Sequence, residues 1–146
     1  MKLFFDIFDD IYKVHLRGSF LCIREAEILL RESVDPMIIN ISSIASISAI
    51  GSNIAYCAIK AAINNMTKSL ARALAPQIRV NSISPGLTDT RLTRDWTDYK
   101  NEQIDKIPLG RLGKCEDIAD AVLTLYNNFK FVTGHNLIID GGRILN

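Results

Sequence analysis

Tyr56 and Lys60 stand four residues apart in a segment rich in alanine, lysine and leucine. On a helix, that spacing puts both side chains on one face, with Cβ atoms about 5–6 Å apart. A free phenol, with a pKa near ~10, is a poor acid or base at neutral pH. An ammonium about 4 Å away is worth roughly 4 kcal/mol at an effective dielectric of 20. That would lower the phenol's pKa by about three units, toward the range of a general acid, and burial would oppose it. Tyr-x-x-x-Lys also arises as ordinary helix-surface packing, so its surroundings decide its meaning. Ser43 precedes Tyr56 by thirteen residues and follows the apolar run Met37–Ile41. In an open parallel sheet, ligands bind beyond the carboxyl ends of the strands, where Ser43 would lie. There a serine hydroxyl can polarise a carbonyl while the tyrosine passes it a proton. A second strand-like run ends at Pro85-Gly86 on the same edge. Its following loop offers backbone groups and the hydroxyls of Thr88 and Thr90.

The elements that must hold these residues follow from periodicity. Apolar positions at helical spacing, from Ile7 and Phe8 through Leu29 and Leu30, predict one long helix over residues 6–31 that Gly18 interrupts without ending. Met37–Ser42 reads as a buried strand, and residues 42–52 as a loop. A second long helix is predicted from Asn53 to Ala75, capped by Ser52 or Asn53 and stopped by Pro76. Residues 78–84 read as the next strand. Residues 87–113 are a long mixed insertion holding the single tryptophan, Trp96, and such insertions are more often functional flaps than scaffold. Trp96 either lines a pocket or packs the flap. Glu116–Tyr126 predicts an amphipathic helix and Asn136–Asp140 a last strand. Alternation of helix and strand implies a parallel α/β sheet with crossover helices, here with three strands in sequential order.

The 146 residues fit a single domain, and 48% apolar against 23% charged residues is globular composition. Seventeen basic against sixteen acidic residues leave a net charge of +1. That balance argues against nucleic acid as a partner, since a duplex-binding surface carries a basic excess. No apolar run approaches the ~20 residues of a membrane span, so no membrane role is expected. Cys22, Cys57 and Cys115 lack metal-ligand spacing, and neither His15 nor His135 has metal-ligand neighbours, so no metal site is expected. The cysteines read as packing residues in a reducing, cytoplasmic compartment. His135, at the start of the last strand, reads as exposed.

Five segments together resemble the short-chain dehydrogenase/reductase family: Asn40-Ile41-Ser42-Ser43; Tyr56-Cys57-Ala58-Ile59-Lys60-Ala61-Ala62; Arg79 through Thr90; Pro108-Leu109-Gly110-Arg111-Leu112-Gly113; and Thr133-Gly134 followed by Asp140-Gly141-Gly142. They occur in family order and spacing over nearly the whole chain, most like the branch containing 3-oxoacyl-carrier-protein reductases and sugar or alcohol dehydrogenases. The resemblance implies a Rossmann-like doubly wound parallel sheet and an NAD(P)-dependent oxidoreductase acting on a small carbonyl or alcohol. It implies Tyr56 as general acid/base, Ser43 orienting the substrate oxygen, and Lys60 tuning the tyrosine and holding the nicotinamide ribose. Pro85, Gly86, Thr88 and Thr90 would receive the carboxamide, the flap would cover the substrate, and the two long helices would carry association into a homo-oligomer or with a family member.

Two departures stand out. Where the family has an asparagine supporting a water-linked proton relay, this chain has His15. An imidazole can bond water and rescue the relay, while the plainer reading is a helix histidine at a relaxed position. The family's Thr-Gly-x-x-x-Gly-x-Gly turn and Asn-Asn-Ala-Gly segment do not occur in the sequence. The resemblance therefore implies an N-terminally truncated domain, keeping the last three of seven strands and three to four helices. Weak NAD or NADP binding is expected, because that turn carries the cofactor pyrophosphate. The alternative to an enzyme is a non-catalytic remnant or interaction module that associates with full-length relatives.

Overall fold

The computed structural model describes residues 5–50 and 53–145. Helix α1 (Phe5–Ile11) passes without a break into a π-helical stretch over Tyr12–Arg17 and then into α2 (Gly18–Arg31). The long first helix is thus present, but its middle is wound more widely than apolar periodicity alone reveals. Strand β1 (Met37–Ile41) follows. Residues 42–52, expected as a loop, contain a short helix, α3 (Ala45–Ser48). Four residues of mixed Ala, Ser and Ile give no helical pattern; the turn is held by local bonds such as the Ser43 Oγ acceptor for the Ala45 N–H at 3.1 Å.

Helix α4 (Ile54–Leu74) carries the Tyr-x-x-x-Lys pair. Asn53 caps it, its side-chain oxygen accepting from the Tyr56 N–H at 2.7 Å. The alternative cap, Ser52, and the loop's Gly51 lie outside the described residues. Ile59, Ile63, Thr67, Ala71 and Leu74 form the buried stripe of α4, the four-residue spacing expected of a core-facing helix. Strand β2 (Arg79–Pro85), the insertion, helix α6 (Cys115–Asn127) and strand β3 (Asn136–Ile139) complete the order. The insertion is not featureless: it holds a 3-10 turn at Arg91–Thr93 and helix α5 (Thr97–Ile104). Of α5 only Gln103 is buried, so its sequence shows no apolar stripe.

The sheet is three-stranded and parallel, in the sequential order β1-β2-β3. Met37 pairs with Arg79 through to Ile41 with Ile83, and Ser82 with Asn136 through to Pro85 with Ile139. Parallel neighbours require crossovers, which α4 and α6 provide. Ile38, Ala71, Leu74, Ile78 and Val80 pack where α4 crosses the sheet. Polar bonds then fix the register of helix on strand. Asn40 Nδ2 donates to Thr67 Oγ1 at 2.9 Å, and Ser42 Oγ donates to the Lys60 carbonyl at 3.0 Å. These two bonds hold the end of β1 against the half of α4 that bears Lys60.

Candidate active site

Beyond the carboxyl ends of β1 and β2 lies a cavity of about 680 Å³. Ser43, Tyr56, Lys60, Pro85, Gly86, Thr88 and Thr90 all line it, so the structure brings together every site residue that the sequence singles out. Ser43 leaves β1, Tyr56 sits in the first turn of α4, and Lys60 lies one turn further on.

Lys60 is 5% exposed. Its ammonium donates to the Ile41 carbonyl at 2.9 Å and lies 5.4 Å from the centre of the Tyr56 ring. Burial holds its pKa below the ordinary lysine value. One of its three donors is spent on Ile41 and two remain for a ligand.

Tyr56 departs from the expected electrostatics. Burial pushes its pKa above the ordinary phenol value, with hydrogen bonding from Ser43 pulling the other way and the neighbouring Cys57 adding to the rise. The expected lowering by Lys60 assumed an ammonium beside the phenol oxygen. Here the ammonium is bonded to the end of β1 instead, and desolvation wins. At neutral pH Tyr56 is a protonated phenol, the form a proton donor needs.

His15 packs beside Tyr56. It lies in the π-helical stretch, and its ring meets that of Tyr56 edge-on, with centroids 5.8 Å apart and planes at 89°. Burial, then the charge of Lys60, holds its pKa below the usual imidazole value. π-Helical turns inside α-helices occur frequently at functional sites. Pattern reading could not find this one, because six residues are too few for apolar spacing to separate a π-helical turn from an α-helical one.

The far side of the site comes from the turn after β2. A Cβ on Gly86 would lie 2.9 Å from both Cα and Cβ of Asp140, so only glycine lets the chain pass there. Thr88 forms a parallel bridge with Gly113, made by the Gly113 N–H to the Leu87 carbonyl and the Asp89 N–H to the Gly113 carbonyl. The Thr88 peptide groups face away from that bridge. The Thr88 hydroxyl donates to the Gly86 carbonyl at 3.1 Å, and that of Thr90 shares a 3.4 Å contact with Thr93. Lys60, the Thr88 backbone and these hydroxyls are a donor and acceptor set that fits the sugar hydroxyls and carboxamide of a nicotinamide cofactor.

Several lining residues escaped the sequence. The sequence allows Trp96 either to line a pocket or to pack the flap, and the structure puts it on the cavity wall together with Leu92, Tyr99 and Ile107 of the insertion. A cluster of large apolar residues inside an otherwise polar insertion was the available signal. Cys115, expected to be a packing residue, is exposed at the start of α6 and lines the same cavity, and Cys22 is exposed too. The α6 pattern was legible, but not which of its ends meets the site. His135 is exposed, as expected.

A family described as Enoyl-(Acyl carrier protein) reductase matches residues 3–143. The chain belongs to the short-chain dehydrogenase/reductase family. It is 41% identical over 144 residues to an NAD-dependent glycerol dehydrogenase of Listeria innocua, covering 94% of this chain and 56% of that protein. It is 34% identical over 130 residues to the short-chain dehydrogenase/reductase homolog YusR of Bacillus subtilis, covering 89% of this chain and all of that protein. The solved structure of 4-hydroxyisoleucine dehydrogenase complexed with NADH superposes with a TM-score of 0.90 at 32% identity, over 99% of this chain and 62% of that one. The chain thus spans a little over half of the longer relatives and the full length of a short one. The fold is that of a Rossmann-like short-chain dehydrogenase/reductase, represented here by three strands. No helix among the described residues is long and apolar enough to cross a membrane.

Proposed function

We propose that this chain carries the proton-transfer half of an NAD(P)-dependent oxidoreductase acting on a carbonyl/alcohol pair in the cytoplasm. The observation that carries the reading is the convergence of Ser43, Tyr56 and Lys60 at the end of β1, facing the Pro85–Thr90 turn across one cavity. A bound nicotinamide cofactor, NAD or NADP, supplies or accepts the hydride. Lys60 would hold the cofactor sugar with its two remaining donors, and Thr88 and Thr90, beside Pro85 and Gly86, would take its carboxamide. In reduction the Ser43 hydroxyl donates to the substrate oxygen and polarises the carbonyl. Tyr56 Oη–H would give its proton to that oxygen, which completes the alcohol. In oxidation the same groups act in reverse, with the ionised form of Tyr56 as the base, so this direction should gain from raised pH. The residue 87–113 flap closes over the substrate.

The test is oxidation of NADH and NADPH by a panel of small carbonyl compounds, with the wild type and Tyr56→Phe. Turnover that falls by about 10²–10⁴-fold in the variant supports the reading. Turnover that survives Tyr56→Phe overturns the assignment.

A second reading, an interaction module associating with copies of itself or with longer relatives, is favoured by two features. The outer edge of β1 has no paired strand among the described residues, and Val14, Phe20, Ile28 and Leu29 on the first long helix are exposed. Unpaired edges and apolar faces favour association. Light scattering across a concentration series tests it, and a monodisperse monomer at all concentrations refutes it.

A further inference from the structure

The cavity has two chemically different walls. Ser43, Tyr56, Lys60 and Thr88 make one, and the other is built from Ile50, Leu92, Trp96, Tyr99 and Ile107. Leu92 and Trp96 remain 79% and 45% exposed although they line a concavity. Trp96 is nonetheless fixed in place. Its backbone N–H donates to the Thr93 carbonyl at 3.1 Å, its backbone carbonyl accepts from the Lys100 N–H at 2.8 Å, and its ring meets that of Tyr99 edge-on at 6.2 Å. No carboxylate side chain lines the cavity among the described residues. The Gln103 side-chain oxygen already accepts from the Arg143 guanidinium at 3.2 Å.

A polyhydroxylated ligand reaching from Tyr56 to this wall would place most of its hydroxyls against carbon, with only the Trp96 indole N–H and the Tyr99 hydroxyl on that wall able to bond them. Buried and unpaired polar groups are costly. A hydrocarbon or aromatic arm would instead cover the exposed surfaces of Leu92 and Trp96 and gain by leaving water. We propose that the carbonyl or alcohol compound taken by this site carries an aliphatic or aromatic arm, seated on Leu92 and Trp96, and that Trp96 is the residue that reads it. This rests on the carbonyl/alcohol reading above and narrows it to apolar compounds, against polyols and small sugars.

The test is binding, measured apart from turnover. Chemical-shift titrations of the whole chain with 2-butanone, 2-hexanone, 2-octanone and dihydroxyacetone give dissociation constants, with and without NADH. A fully buried methylene is worth about fourfold in affinity, so an open wall should give about twofold or more per added carbon. Trp96→Ala should weaken 2-octanone by about tenfold and leave 2-butanone within about twofold. Leu92→Asn, at a position too exposed to threaten folding, should flatten the same slope. Affinity independent of chain length, dihydroxyacetone binding as tightly as 2-octanone, or no binding of 2-octanone overturns the proposal. A retained slope without any NADH or NADPH turnover upholds it and counts against the oxidoreductase reading alone.

Discussion

Replacing Lys60 with methionine should stabilise the fold, and on the proposed reading it should remove turnover. Lys60 is 5% exposed, and its ammonium is met by the Ile41 carbonyl at 2.9 Å and the Tyr56 ring rather than by a carboxylate. Withdrawing an ammonium from water costs several kcal/mol after relaxation. The charged hydrogen bond returns about 1.5–3 kcal/mol and the ring contact about 0.5–2. Methionine keeps the length and the apolar stem without the desolvation cost, and Ile41, itself half exposed, can give its carbonyl to water. The net expectation is a gain of about 1 kcal/mol at pH 7, or about 3–4 °C in Tm for a chain of this size. The sign of the pH dependence gives a second reading of the same cause. The folded-state pKa of Lys60 lies below 10.5, so the wild type gains stability as pH rises from that folded value to the unfolded one. The advantage of Lys60→Met should therefore be largest near neutrality and shrink toward pH 10.5. Thermal unfolding of both proteins from pH 7 to 10.5, with NADH oxidation assayed alongside, measures it. A variant less stable than wild type by about 1 kcal/mol or more, or a difference that ignores pH, would refute the reasoning and make Lys60 a structural residue.

Gly86→Ala should cost about 1–3 kcal/mol, read as a lowered urea midpoint, because the new methyl group meets Asp140 at 2.9 Å. Ile63→Ala should cost about 2–5 kcal/mol in the same experiment, since Ile63 is 2% exposed at the centre of the α4 stripe. Protonating His15 places a second cation beside Lys60, so turnover should fall on acidification below pH 6.5 and be flat above it, with His15→Asn abolishing that acid limb. An unchanged pH–rate profile in the variant would remove His15 from the site's electrostatics. Because the folded pKa of His15 is the lower one, its contribution to stability is present above pH 6.5 and is lost as pH falls through the folded value.

Much of the architecture could be read from residue order because it rests on short-range rules. The repeat Ile59, Ile63, Thr67, Ala71, Leu74 announces a core-facing helix, Asn53 its cap, and the apolar runs at β1, β2 and β3 a parallel sheet between crossovers. What escaped depends on tertiary placement. Helix α3 exists because Ser43 and its neighbours satisfy one turn locally, and α5 packs only Gln103 into the protein. The π-helical stretch differs from an α-helix by a register that apolar spacing does not record. The electrostatics of Tyr56 failed for the same reason. Spacing placed Lys60 on the right face, but which atom the ammonium would bond is set by where β1 ends.

That last point also explains how the site divides. The end of β1 makes three contacts with α4: Asn40 with Thr67, Ser42 with the Lys60 carbonyl, and the Ile41 carbonyl with the Lys60 ammonium. These bind Ser43, Tyr56 and Lys60 to the most buried part of the molecule, where a misplaced strand would disturb the core as well as the chemistry. The apolar wall is built differently, on a segment whose helix buries a single glutamine and whose Leu92 and Trp96 face solvent. Changing those side chains costs little packing, whereas changing Lys60 or Ser43 alters groups the core holds in place. On the proposed reading, proton transfer would rest on the sheet–helix junction, and ligand preference on Leu92 and Trp96, whose exposed side chains can vary at little cost in packing.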